Sequence, residues 1–216
     1  MIKVLLFDND GVLAHTEELF FTINKQCFDD MDIPYTREDF ENHTFITNLG
    51  TTGFMKNSGC TDAQIAQFKS IRDTQWQSEI LKSNTVDPKA EAVFKILKND
   101  YKIGIVTNTN RENFMKTHHC SNIPRLADFL VTRENYDKGK PEPDSYLKGL
   151  EIANCLVGEA LVIEDSPRGI EAAKAAGIKT VVIPNPVINN LDTSSADYKI
   201  LSLSELPDLL EKINED

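Results

Sequence analysis

Asp8 and Asp10 stand two residues apart at the end of an apolar run, Val4-Leu5-Leu6-Phe7, and Gly11 follows them. On an extended backbone, side chains at i and i+2 point to the same side, so the two carboxylates can share one ligand. Like charges held this close repel unless a cation, a shared proton or nearby ammonium groups compensate them. A strand end running into an Asp/Gly turn gives the same letters without chemistry. Partners elsewhere in the chain decide between the two. Thr107 follows Ile103-Gly104-Ile105-Val106, Glu164-Asp165 follows Ala160-Leu161-Val162-Ile163, and Lys140 lies in the loop Lys138-Gly139-Lys140-Pro141-Glu142-Pro143. Four carboxylates offering only oxygen suit a hard cation, and few protein ligands completed by water suit Mg2+. Around such a cation, one Lys and one hydroxyl favour a phosphoryl group, whose oxygens need positive charge and donors. Backbone N–H groups at Asn108 and Thr109, where a helix begins, can hold the same anion. An EF-hand loop starting at Asp8 fails, since Val12, Leu13 and Leu19 stand where an oxygen ligand, Gly and Glu are needed.

These groups meet only if the elements that carry them share an edge. Short apolar runs at about 1–7, 103–106, 129–131, 160–163, 179–183 and 198–200 read as strands, and most alternate with helical segments. The later helices run over about 88–98, 111–118, 144–153, 167–177 and 204–213, with Ser166, Pro167 and Gly177 placed as helix-end residues. This alternation predicts an α/β fold, a Rossmann-like doubly wound parallel sheet with helices on both faces. In such a sheet the C-terminal strand ends lie along one edge, and ligands bind where strand order reverses. The stretch 15–84 reads as all-helical. Thr16 is placed to cap a helix to about Phe28, with Leu19, Phe20, Ile23 and Cys27 as its apolar stripe. A second helix follows the capping-box pattern Thr36 to Asp39, and a third runs from about Thr61 to Leu81 with Ile65, Phe68 and Ile71 on one face. Thr47 to Gly53, small and polar, is expected to be a flexible loop. The expected organisation is a catalytic core of 1–14 and 85–216 with an inserted helical cap, 15–84.

Composition narrows the function classes. At 216 residues the chain can bury a sizeable core plus a small insert. No apolar run approaches the roughly 20 residues that span a bilayer, and the first apolar run stops at Asp8 before a signal-peptide core could form. A net charge of −11 without a Lys/Arg run argues against a nucleic-acid partner. Cys27, Cys60, Cys120 and Cys155 form no CxxC pair, so they are expected to be reduced thiols in a cytoplasmic protein, a monomer or weak dimer with no membrane partner.

The strand-end residues also carry a resemblance. Asp8-Asn9-Asp10-Gly11-Val12-Leu13, Thr107-Asn108, Gly139-Lys140-Pro141-Glu142-Pro143-Asp144 and Ile163-Glu164-Asp165-Ser166-Pro167-Arg168-Gly169-Ile170-Glu171-Ala172-Ala173 resemble the four ordered motifs of the haloacid dehalogenase-like hydrolase superfamily. The match covers about 1–14 and 85–190, and the helical insert resembles the cap of the branch that holds sugar-phosphate phosphatases and β-phosphoglucomutase. The resemblance implies that Asp8 attacks phosphorus to give an aspartyl-phosphate and that Asp10 carries the proton. It implies that Thr107 and Lys140 hold the phosphoryl oxygens. Asp8, the Asp10 backbone carbonyl and Asp165 would bind Mg2+, with Glu164 in or just outside the ligand set. The expected substrate is a small phosphorylated metabolite, with Asn48, Thr51 and Thr52 as candidate hydrogen-bonders in the insert and Lys56 and Arg72 as possible charges.

Other readings stay open. A phosphosugar mutase shares the core, but β-phosphoglucomutase has a His in the cap where this chain has Phe20. A haloacid dehalogenase needs neither the second Asp nor a metal. A phosphonatase needs a cap Lys, for which Lys25, Lys56 and Lys69 are read as surface residues. A receiver domain carries its Asp on the third strand. A non-catalytic metal- or partner-binding protein is the alternative of another class. His118 and His119 receive no role.

Overall fold

The computed structural model describes residues 1–47, 49–185 and 191–215. Among these, six strands form one sheet: β1 (Val4–Phe7), β2 (Lys102–Val106), β3 (Phe129–Val131), β4 (Ala160–Glu164), β5 (Lys179–Val182) and β6 (Tyr198–Lys199). Their order is β3-β2-β1-β4-β5-β6 and every pairing is parallel. β1 is central, paired on one side so that Phe7 lies opposite Ile105 and on the other so that Phe7 lies opposite Ile163. Strand order therefore reverses between β1 and β4, and Asp8 and Glu164 leave the sheet at the same level on either side of that reversal.

The helices are α1 (Glu17–Asp29), α2 (Arg37–Glu41), α3 (Gly50–Asn57), α4 (Asp62–Ile80), α5 (Ala90–Leu97), α6 (Arg111–Thr117), α7 (Ile123–Leu126), α8 (Asp144–Ala153), α9 (Pro167–Ala175) and α10 (Leu206–Glu215). Period-2 alternation splits β1 between two cores. Leu5 and Phe7 join Val93, Phe94, Phe114, Leu206 and Leu210 from α5, α6 and α10, whereas Val4 and Leu6 join Tyr146, Leu150, Ala172 and Ala173 from α8 and α9. Both sheet faces are thus covered, as a continuously apolar parallel strand requires. The helices α1 to α4 pack on a cluster of their own, built from Ile23, Phe28, Tyr35, Phe40, Phe54, Phe68, Trp76 and Ile80. The chain enters and leaves this insert through two segments that pair: Ala14 bridges Val86, His15 N donates to Thr85 O and Asp87 N donates to Leu13 O. No helix among the described residues is long and apolar enough to cross a membrane.

Capping boxes form at Thr36 with Asp39 and at Thr61 with Gln64, and Ser166 Oγ accepts from Gly169 N to cap α9. Three expectations for the insert are corrected. The stretch Thr47 to Gly53 is not a loop throughout. Asn42–Ile46 forms a π-helical turn that continues α2, and α3 begins at Gly50, whose φ of +57° makes the break between them. Phe45, Phe54 and Met55 bury beneath these turns, and that burial carries Thr51 and Thr52 into a helix. Ile71 does not share the inner face of α4 but is 44% exposed. Three-residue steps lag a 3.6-residue turn, so Ile71 rotates off a face that continues through Trp76 and Ile80. Thr16 precedes α1 but its side chain makes no cap hydrogen bond; the hydroxyl donates to Asp10 Oδ1 at 2.7 Å instead.

Candidate active site

The carboxyl ends of β1, β2 and β4 open into a cavity of about 350 Å3 that also meets the insert. Its wall includes Asp8, Asp10, Thr107, Asn108, Lys140 and Asp165 from the sheet side and Phe20, Phe40, Arg72 and Trp76 from the inserted helices. The strand ends and the loop before α8 therefore bring the expected polar residues together.

Lys140 is the centre of the charge balance. Its Nζ donates to Asp8 Oδ1 at 2.6 Å, to Glu164 Oε1 at 2.7 Å and to Val106 O at 3.0 Å, and it lies 4.6 Å over the Tyr146 ring. The loop that delivers it is fixed by Asn108, whose Oδ1 accepts from Lys140 N at 3.1 Å and from Tyr136 Oη at 2.9 Å. Glu164 is fully engaged: Oε1 also accepts from Tyr146 Oη at 2.8 Å, and Oε2 accepts from Asp165 N, Ser166 N and Ser166 Oγ. Burial raises the Glu164 pKa, but the Lys140 cation and these hydrogen bonds outweigh it and hold the group below the usual carboxylate range. Asp8 has fewer donors. Burial pushes it up to about 7, against the lowering pull of Lys140. Asp165 is raised well above its ordinary value by burial and by the charges of Glu164, Glu17 and Asp8.

Asp10 is held differently. Oδ1 accepts from Thr16 Oγ1 at 2.7 Å, and Oδ2 from Thr109 Oγ1 at 2.8 Å and Thr107 Oγ1 at 3.5 Å. Thr107 Oγ1 in turn accepts from Thr109 N at 3.0 Å. The two acids that the spacing placed side by side thus occupy distinct settings, one against an ammonium group and one among hydroxyls. Gly11 makes the turn between them and α1: its φ is +83°, and a Cβ there would collide with the Asp165 carboxylate.

Asp8, Glu164 and Asp165 each offer a carboxylate oxygen within 4.8 Å of the others. These three buried acids face one ammonium group, so the site is short of positive charge, and its oxygen-only donor set fits a hard divalent cation. The Asp10 side chain is not in this group.

The remaining expected residues fall elsewhere. Thr51 is buried, its hydroxyl accepting from Arg72 Nη1 at 2.9 Å, and neither Thr51 nor Thr52 lines the cavity. Asn48 lies outside the described residues. Phe20 lines the cavity with the Arg72 guanidinium 5.4 Å from its ring centroid.

Several site residues escaped sequence reasoning. Thr109 was expected only as a backbone donor, whereas its hydroxyl reaches Asp10; its two-residue spacing from Thr107 is a signal that could have found that side-chain role. Asn185 stands beyond Ile183-Pro184 after β5, so no direct strand-end signal marks it; its Nδ2 donates to Asp165 Oδ2 at 2.8 Å and Glu17 Oε1 at 3.0 Å. Glu17, raised to about 8 chiefly by burial, looked like an ordinary acid in a first helical turn. His118 is buried, with Nε2 2.7 Å from Asn9 Oδ1 and Nδ1 2.9 Å from Ser121 Oγ.

The family model described as haloacid dehalogenase-like hydrolase matches residues 5–183. Among characterised sequences the chain is similar to protein CbbY of Rhodobacter capsulatus, at 29% identity with 94% of each chain covered. It is also similar to a phosphorylated carbohydrates phosphatase of Thermotoga maritima, at 29% identity over 83% of this chain and 84% of that one. Among solved structures, a β-phosphoglucomutase of Clostridium difficile superposes with a TM-score of 0.84, covering 100% of this chain and 98% of that one at 21% identity, a likeness of fold.

Proposed function

The chain belongs to the haloacid dehalogenase-like hydrolases, and from that premise we propose that it is a Mg2+-dependent phosphatase of a small phosphorylated metabolite. In this reading Asp8 is the nucleophile. The observation that carries it is the contrast between the two acids: Asp8 Oδ1 lies against Lys140, and Asp10 lies among three hydroxyls on the same cavity wall.

Asp8 attacks phosphorus, the bond to the leaving oxygen breaks, and an aspartyl-phosphate forms. Asp10 gives its proton to that oxygen and then takes one from the water that hydrolyses the aspartyl-phosphate. Its hydroxyl partners, Thr16 and Thr109, aim it. Thr107, Asn108 and Lys140 supply donors and positive charge to the phosphoryl oxygens. Asp8, the Asp10 backbone carbonyl and Asp165 are the residues that would hold Mg2+. When bound, it neutralises charge on the phosphoryl oxygens and on the acids around them. Glu164, with both oxygens occupied by protein donors, acts by fixing Lys140. Residues 1–14 and 85–216 form the catalytic core in this reading. The helices of 15–84 are the cap that selects the leaving group and excludes water. The carbohydrate phosphatase of Thermotoga maritima supports a phosphorylated sugar as the substrate class.

Phe20 favours hydrolysis over mutase chemistry, because an aromatic ring at this place on the wall cannot move a proton to or from a held sugar hydroxyl. The test is a Mg2+-dependent screen of phosphorylated metabolites and an aryl phosphate, with EDTA controls and the Asp8→Asn protein as blank. Turnover that needs Mg2+ and disappears in Asp8→Asn is expected. Mg2+-dependent turnover retained by Asp8→Asn would remove the nucleophile assignment.

A further inference from the structure

Glu17 lines the cavity, yet the proposed chemistry gives it no task. It is the first residue of α1 and only 6% exposed. Its Oε1 accepts from Asn185 Nδ2 at 3.0 Å, and the same nitrogen donates to Asp165 Oδ2 at 2.8 Å. Its Oε2 is buried and has no hydrogen-bond partner among the described residues. A buried carboxylate oxygen left without a donor is costly. Lys140, the ammonium group nearest the acids, is committed to Asp8, Glu164 and the Val106 carbonyl. Waters bound to a divalent cation are strong donors that point away from the ion, and carboxylates just beyond the direct ligands accept from them.

Resting on the reading that Asp8 and Asp165 hold a divalent cation, we propose that Glu17 and Asn185 form the outer layer of that metal site. Asn185 fixes the Asp165 carboxylate through its amide. Glu17 Oε2 accepts a hydrogen bond from a metal-bound water. Both are positioning residues, acting through the metal rather than on the substrate. Because Glu17 opens the first inserted helix, it also makes cation affinity depend on how that helix is seated against the sheet edge.

The test is calorimetric titration of Mg2+ into the full chain, without substrate, for wild type, D165N, E17Q and N185A, with the metal-free thermal midpoint of each. Wild type should bind saturably and D165N should not. E17Q and N185A should each weaken binding about tenfold or more, the range for second-layer partners of metal ligands. The metal-free midpoint of E17Q should not fall, because the amide keeps the side chain's volume and an oxygen that accepts from Asn185 Nδ2. Binding by E17Q within twofold of wild type overturns the proposal, and so does a loss of affinity accompanied by a lower metal-free midpoint, which marks a merely structural residue. Should E17Q fail to fold, N185A carries the same comparison. Absence of saturable binding by wild type strikes the metal reading itself, which keeps the two failures apart.

Discussion

At the scale of single residues, charge burial dominates. Lys140 is buried between Asp8 and Glu164, and removing one partner of such a group leaves uncompensated charge. Lys140→Met should lower the free energy of unfolding by about 3–5 kcal/mol in urea titrations with EDTA; a loss under 1 kcal/mol would contradict the charge balance described above. His118 is the complementary case. Burial depresses it from 6.5 to about 4. Between these two values the unfolded chain binds a proton that the native chain does not, so the His118 contribution to stability falls as pH drops from about 6.5 to 4, opposite in sign to the contributions of Asp8 and Glu17, whose raised pKa values add stability as pH falls. The full effect is about 3 kcal/mol. The stability difference between wild type and His118→Gln should therefore change by this amount between pH 6.5 and 4, to the disadvantage of wild type at the lower pH; a difference independent of pH would show that His118 protonates freely in the native state. Asp8, Thr107 and the pair Glu164-Asp165 were legible because they end or directly follow apolar strands, and Asp10 because it stands two residues from Asp8. His118, Glu17 and Asn185 were not, because their meaning lies in partners far away in sequence: Asn9 is 109 residues from His118, and Asn185 is 168 from Glu17.

At the scale of elements, the sheet was legible because its strands are short uninterrupted apolar runs, and burial on both faces leaves little else for such runs to do. The insert was less so. Its helices share an aromatic cluster in which Phe28 meets Tyr35, Phe54 and Phe68 at centroid distances of 4.4, 5.1 and 4.4 Å. These rings come from four segments, and the packing overrides local signals. It draws Gly50 to Gly53 into α3, and Ile71 is left outside although its three-residue spacing suggested a shared face. Phe28→Ala should therefore cost about 3–5 kcal/mol, the range for removing a buried aromatic ring. Chemical denaturation measures this, and a cost under 1 kcal/mol would mean that the cluster does not hold the insert together.

At the scale of the whole molecule, the sheet brings acids and hydroxyls to one edge and the insert supplies the opposing wall of the same cavity. The edge is the point of strand reversal, and three of the proposed participants leave strands flanking it or adjacent to it: Asp8 after β1, Thr107 after β2 and Asp165 after β4. The central claim is that Asp8 becomes phosphorylated during turnover. The direct measurement is to acid-quench the enzyme while it turns over an aryl phosphate with Mg2+, reduce it with borodeuteride and map the peptides by mass spectrometry. Reduction of an aspartyl-phosphate converts the side chain to homoserine, so the mass change should fall at residue 8 alone and vanish without Mg2+ or in Asp8→Asn. Sustained turnover with residue 8 unmodified and the change at another residue would contradict the account.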